Sequence, residues 1–266
     1  MALVFASIAP VPVMADYVFN DGFEITWTGE YYSPWTVEGY RHGDEPVAIM
    51  KQTTTAHSGS YGLQLEMKSV PQTWMWWGAI NANVPEYAMQ KQYDPYMSVW
   101  YYDEYTASDG WKKGGQLYAV PSLVTGDDDW TDVQFGARAV EGISQNYYYT
   151  WADSPHPAWQ DTGVARDNDW HHLKFQLSSA DGHIRFYLDG NLVGTSTRND
   201  YTDLGSAILM VMFDDPLSAW GDNKPYAIFD DYQVGSSVPI PTAVLLMGAF
   251  LGRMAAYTRR RRNMLS

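Results

Sequence analysis

The stretch Gly163–Gly194, GVARDNDWHHLKFQLSSADGHIRFYLDGNLVG, reads as two back-to-back hairpins and leaves little choice of fold class. Leu173, Phe175 and Leu177 alternate with Lys174 and Gln176. Ile184, Phe186 and Leu188 alternate with His183, Arg185, Tyr187 and Asp189. An apolar period of two marks strands with one buried face. Ser179–Gly182 supplies a loop, and its Asp-Gly pair favours left-handed backbone. A four-residue loop pairs Leu177 with Ile184, Phe175 with Phe186 and Leu173 with Leu188. Only that register, or a shift by two, keeps the apolar residues on one face. The other face then pairs Gln176 with Arg185, Lys174 with Tyr187 and His172 with Asp189. After Asp189-Gly190-Asn191 the chain turns again into Leu192-Val193.

The same pattern recurs along the body. Tyr17–Gly39, Ala56–Leu65, Val70–Val84, Met97–Tyr105, Gln116–Val120, Thr131–Ala139, Asn146–Trp151, Ala207–Phe213 and Tyr226–Val234 read as short strands with turn residues between them. There is no long amphipathic helix and no internal repeat, so the expected class is an all-β, two-sheet antiparallel sandwich. A chain of 266 residues holds one large sandwich with a substantial core. The 12 Trp, 20 Tyr and 9 Phe suit strands and sugar-facing surfaces alike. The absence of cysteine excludes disulfides, thiolate chemistry and Cys-based zinc sites, and leaves export open.

Charge separates the body from its ends. Arg253 and Arg259–Arg262 are five of the 17 basic residues, and no acidic residue lies before Asp16 or after Asp231. The segment 16–235 therefore sets 12 basic residues against 31 acidic ones, a balance of −19. Such a body repels nucleic acid and anionic membrane; it either holds divalent cations or simply stays soluble. Residues 1–15, MALVFASIAPVPVMA, are apolar and uncharged, and Val13-Met14-Ala15 before Asp16 fits a small-residue cleavage site. A signal peptide lacking its charged start is expected there, with a buried first strand as the alternative.

The words of the double hairpin carry a resemblance. Trp170-His171 opening one strand and Tyr187-Leu188-Asp189-Gly190 closing another resemble the laminin G-like branch of the concanavalin A-like jelly rolls. Asp161-Thr162-Gly163-Val164 fits secreted bacterial members, and the turn His57-Ser58-Gly59-Ser60-Tyr61 resembles one common in the fold. The turn needs its Ser and Gly for tightness and reads as structural. The resemblance implies the fold and leaves function open, because this fold hosts lectins, lyases, hydrolases and adhesion modules.

The tail resembles the C-terminal sorting tails of the PEP-CTERM type. Val238-Pro239-Ile240-Pro241 precedes an apolar run, Thr242–Tyr257, broken only by Arg253, and then comes Arg259–Arg262. Ile240 stands where the best-known form has Glu, as in the Pro-x-Pro variants of such tails. The run is shorter than the ~20 residues of an ordinary span, and the Arg cluster stays cytoplasmic by the positive-inside rule. The resemblance implies a short hydrophobic helix in 236–266 and a sorting enzyme at the inner membrane as partner. A plain membrane anchor is the alternative.

Three constellations are candidate sites. First, Asp230 shares strand parity with Ile228, Tyr232 and Val234, which places it on the apolar side, where a lone carboxylate is costly. Jelly rolls of this resemblance hold a structural calcium between a first-strand Glu and a closing-strand Asp, which implies Glu24 and Asp230, with Asn20 adding an oxygen. The alternative is that Asp230 caps backbone amides without a metal; Asp231 faces the other way and is expected to be solvated. Second, Trp170, His172, Lys174, Gln176, Arg185, Tyr187 and Asp189 share the polar face of the hairpin. On a concave face they form a sugar-binding strip, with rings for stacking and charges for hydroxyls or uronates; on a convex face they are merely solvated. His171, on the apolar side, reads as a satisfied core histidine. Third, Trp74, Trp76, Trp77, Tyr147, Tyr148, Tyr149 and Trp151 pack the core or line a groove.

Catalytic frameworks are mostly missing. The Glu-x-Asp-x-x-Glu strand of laminarinase-type hydrolases is absent, as are the Gly-x-Ser-x-Gly elbow, the phosphate loop and the dinucleotide fingerprint. Asp127–Asp129 and Asp167-Asn168-Asp169 lack EF-hand spacing. Gln134 and Arg138 share a face, which faintly resembles jelly-roll polysaccharide lyases, where a Tyr or His base works beside a charge-neutralising Arg or Gln. The expectation is an exported surface or matrix protein that binds exopolysaccharide without turning it over. A lyase or glycoside hydrolase of the same fold, and a purely structural matrix protein, are the alternatives.

Overall fold

Alternation settles the first pairing. Strands β11 (Trp170–Leu177) and β12 (Ile184–Leu188) join antiparallel with Leu177 opposite Ile184, Phe175 opposite Phe186 and Leu173 opposite Leu188, as their side-chain pattern requires. The other face pairs Gln176 with Arg185 and Lys174 with Tyr187. Burial follows the same beat, so every second residue of both strands is buried. The β12 strand then turns through Asp189 and Gly190, at φ 50° and 77°, into β13 (Asn191–Thr195). Two positive φ values in a two-residue loop make the type I′ turn that matches strand twist.

The computed structural model of the chain describes residues 16–25, 35–39, 48–67, 76–82, 89–105, 114–123, 132–137, 145–151, 159–213 and 226–236. The other strands among them are β1 (Asp16–Asp21), β2 (Trp35–Gly39), β3 (Ala48–Thr53), β4 (Gly62–Met67), β5 (Trp76–Ala82), β6 (Pro95–Tyr102), β7 (Gly115–Ala119), β8 (Val133–Ala137), β9 (Asn146–Trp151), β10 (Gln160–Ala165), β14 (Ala207–Phe213) and β15 (Tyr226–Ser236). They form an eight-stranded sheet in the order β13-β12-β11-β6-β15-β4-β3, with β1 also on β15, and a seven-stranded sheet in the order β10-β9-β8-β7-β14-β5-β2. The β unit runs from Tyr17 to Ser236. The signal segment expected in 1–15 and the tail beyond Ser236, with its helix, lie outside the described residues, as does Trp74.

The core lies between the sheets. Leu173, Phe175, Phe186, Val99, Tyr101 and Phe229 meet Leu117, Phe135, Tyr147, Leu209 and Val211 in one buried cluster. The continuous apolar run of β14 has a physical reason. Ala207, Leu209 and Val211 join that core, while Ile208 and Met210 are buried on the sheet's other face with Tyr118 and Trp159. A strand covered on both sides has no polar beat.

One parity assignment is corrected. In β15, Asp230 pairs with Trp100 and Gln233 with Ser98, so Asp231 and Tyr232 together oppose a single residue. This is a β-bulge, with Asp231 at φ 47°. Ala227 and Phe229 before it, and Tyr232 and Val234 after it, all face the core. Asp230 therefore lies with Trp100 on the sheet's other face, not beside Tyr232 and Val234, and the extra residue is the reason.

Candidate functional site

The outer face of the eight-stranded sheet carries a strip of rings. Register puts His172 of β11 beside Trp100 of β6, Trp170 beside Tyr102, and Lys174 beside Ser98. Tyr102 and Trp170 lie 5.2 Å apart, and Trp100 and His172 5.1 Å apart. His57 is delivered from the loop before β4 and stacks on Trp100 at 3.7 Å, with the rings 11° from parallel; it meets Trp170 edge-on at 5.7 Å. Farther along, the Lys174 ammonium lies 4.4 Å from the Tyr96 ring centre and 5.8 Å from that of Tyr187. From Trp170 to Lys174 this strip spans about 13 Å of strand. Trp100, Tyr102, Trp170, His172 and Tyr187 are half-buried and Tyr96 is buried, while His57 is exposed.

Acidic residues fix the His57 loop. Asp230, fully buried, accepts the amides of His57 (2.8 Å) and Ser58 (2.9 Å) on one oxygen and that of Asp231 (2.8 Å) on the other. Burial pushes its carboxyl up to about 6, against the opposite pull of these three amides. Asp231 is only part-exposed and holds the ring of His57 (3.0 Å) and the hydroxyl of Ser58 (2.9 Å). Glu24 accepts the amides of Ser60 (2.9 Å) and Tyr61 (3.1 Å). Gly59, at φ 64°, permits that approach, since a Cβ there would sit 2.2 Å from a Glu24 oxygen.

These donors bear on the calcium expectation. Glu24 and Asp230 do grip one loop from its two sides, but N–H groups occupy the oxygens that an ion would share. Asn20 is exposed, and no three acidic or histidine side chains gather to hold an ion among the described residues. Amide capping describes these two carboxylates better than a shared cation.

A polar network runs inward from the exposed Asp167 and Asp189 at the end of the strip. Asp189 spends one oxygen on the His172 amide and the other on the His171 ring, both at 2.8 Å. The second ring nitrogen of His171 meets Asp167 at 2.7 Å. Burial lowers the His171 pKa, but the two carboxylates outweigh it and hold the ring above its ordinary value. His172 moves the other way, lowered by burial and by Lys174. The pairing of His172 with Asp189 thus holds for the backbone, while the carboxylate serves the ring of His171. Deeper in, Arg166 forks onto Asp103 at 2.9 and 2.7 Å, and the Tyr147 hydroxyl donates to the same carboxylate at 2.8 Å. Burial raises both Tyr101 and Tyr147 far out of their usual range.

Of the residues predicted for this face, Trp170, His172, Lys174, Tyr187 and Gln176 lie on it. Arg185 does too, but its guanidinium is tied to Asp181 in the hairpin loop. Asp189 is committed to the two histidines. The rings of Tyr96, Trp100, Tyr102 and His57 were missed. The first three were legible as the residues alternating with Met97, Val99 and Tyr101 in β6; His57 carried no signal, because a loop contact brings it in. Of the aromatic set, Tyr147 is core, and Tyr149 stacks on Phe186 at 4.6 Å.

The outer face of the seven-stranded sheet differs. Tyr118 stands opposite Gln134 in register and donates to Asp132 at 2.6 Å. Burial raises the Asp132 carboxyl, partly countered by that hydrogen bond. The side-chain oxygens of Gln116 and Gln134 are buried and meet no hydrogen-bond donor among the described residues.

No protein-family model matches the chain, and no curated protein sequence matches it. Solved structures do. An endo-1,3-beta-glucanase from Streptomyces sioyaensis superposes with a TM-score of 0.55 at 14% identity, over 88% of this chain and 100% of that one. A beta-glucanase of Bacillus licheniformis gives 0.53 at 14%, over 82% and 97%. The kappa-carrageenase of Pseudoalteromonas carrageenovora, solved with an oligotetrasaccharide of kappa-carrageenan, gives 0.50 at 12%, over 86% and 99%. At such identities the likeness is one of fold: the chain is an all-β, two-sheet sandwich of the concanavalin A-like jelly-roll type.

Proposed function

We propose that this chain is an exported, non-catalytic polysaccharide-binding jelly roll that lays its ligand along the outer face of the eight-stranded sheet. The carrying observation is the ring strip of Trp100, Tyr102, Trp170 and His57, with Tyr96 and Tyr187 beyond it. Flat rings offer faces to the C–H surfaces of pyranoses, and His172 and Lys174 supply polar contacts between them. The rings are preorganised: His57 is clamped by Asp231 and its loop by Asp230 and Glu24, so little side-chain freedom is lost on binding. Export, a PEP-CTERM-type tail handled by an inner-membrane sorting enzyme, and an extracellular matrix polysaccharide as ligand belong to the same reading, supported by the sequence of the two ends.

A glycan array on the full chain tests it, followed by titration of Trp100→Ala and Tyr187→Ala. At about 0.5–1.5 kcal/mol per ring contact, each variant loses roughly two- to tenfold in affinity with little change in melting temperature. Unchanged affinity in both variants removes the strip from the site. Binding to no glycan at all favours the purely structural matrix role.

A second reading rests on the other sheet. Tyr118 beside Gln134, with Asp132 in reach and two glutamine oxygens lacking donors, is the kind of polar set a polysaccharide lyase uses. That reading requires absorbance from unsaturated uronate to rise on polyuronate substrates, and Tyr118→Phe to abolish the rise.

A further inference from the structure

Among the described residues most cations are spent. Of the six Lys and Arg residues among those described, Lys51 pairs with Glu66, Arg166 with Asp103, Arg185 with Asp181 and Arg198 with Asp200. Lys174 is one of the two left over, and it is the one on the ring strip. No carboxylate among the described residues forms a salt bridge or hydrogen bond with its ammonium; the rings of Tyr96 and Tyr187 face it. Tyr96 is only 7% exposed, so its ring is a fixed wall, and Ser98 opposite Lys174 is buried. Burial also lowers the Lys174 pKa. In a segment with a balance of −19, a half-buried cation without a carboxylate is unusual, because acidic partners are plentiful.

We propose that Lys174, held between Tyr96 and Tyr187, is a subsite for an anionic substituent on the bound polysaccharide: a uronate carboxylate or a sulfate ester. The inference rests on the strip being the glycan site. The ring faces hold the ammonium by cation–π attraction, which places the charge without neutralising it. A compact ammonium is a point charge without the fork of a guanidinium, so it selects for charge rather than for the shape of the anion. Partial burial weakens competition from water and salt at the contact. The acidic surroundings act over about 8 Å at physiological salt, so they oppose approach of an anionic polymer while the contact itself is decided locally.

The test uses two polymer pairs that differ only in charge: polygalacturonate with its methyl ester, and a sulfated galactan with its desulfated form. The full chain, Lys174→Met and Trp100→Ala are titrated with each. The wild type is expected to bind the charged member of at least one pair about tenfold more tightly, and the pair that shows it names the anion. In Lys174→Met the charged member weakens until it binds no more tightly than the neutral one, and the melting temperature stays as in wild type. In Trp100→Ala both members weaken alike. Equal affinity within both pairs in wild type, or a margin that survives in Lys174→Met, overturns the anion subsite; the strip still stands if Trp100→Ala weakens the neutral polymers. Failure to bind any of the four overturns the anion subsite, while the glycan array decides the strip.

Discussion

Replacing Arg166 by Met leaves the Asp103 carboxylate in the core without its cation. Both side chains of this pair are completely buried, and the fork is closed at 2.7 and 2.9 Å. Removing one partner of a buried ion pair costs about 3–5 kcal/mol, most of it the penalty of the orphaned charge. In a β unit of this size each kcal/mol moves the melting temperature by about 2–4 °C, so Arg166→Met should lower it by roughly 6–20 °C. Asp103→Asn should cost as much, because it strands the guanidinium. The double variant strands neither. Its Asn still offers an oxygen to the Tyr147 hydroxyl, so it should be no less stable than the worse single variant, with a coupling of about 3 kcal/mol in the cycle. Urea unfolding followed by tryptophan fluorescence measures all four proteins. Costs that simply add, or a loss below about 1 kcal/mol in Arg166→Met, would refute the reasoning.

Three further outcomes are expected. His171 is a base whose folded pKa is held up, so its contribution is fully present below the unfolded value of about 6.5 and is lost as pH rises through the folded value; Asp167→Asn should therefore lose more stability near pH 5.5 than near pH 9, and an equal loss at both would contradict the pairing. Because loop amides fill the oxygens of Glu24 and Asp230, the melting curve should be the same in millimolar calcium and in chelator; a chelator-dependent drop that Asp230→Asn abolishes would restore the ion. Neutralising Arg259–Arg262 should impair retention or cleavage of the tail, and an unchanged mature mass with normal surface display would sink the sorting role.

The hairpin Trp170–Leu188 was legible in the sequence down to its register, because period-two burial admits one pairing and its even shifts. The sandwich class was legible too, since short alternating strands without helices leave few ways to bury their apolar faces. Half of the candidate strip was readable for the same reason, as residues of equal parity on β11 and β12. The rest was decided in three dimensions. Trp100 and Tyr102 join the strip only because β6 lies beside β11, a neighbour some 70 positions away that no local pattern names. His57 arrives through a loop that Asp230 and Glu24 pull down by its amides. Asp230 itself defeated parity counting: one extra residue at Asp231 switches every side chain that follows to the other face, and alternation carries no mark of such a residue when it is the second of two consecutive aspartates. The buried Asp103–Arg166 pair was invisible for a related reason. Alternation says which side a residue faces, whereas the meeting of two charges 63 positions apart depends on how the two sheets are laid together.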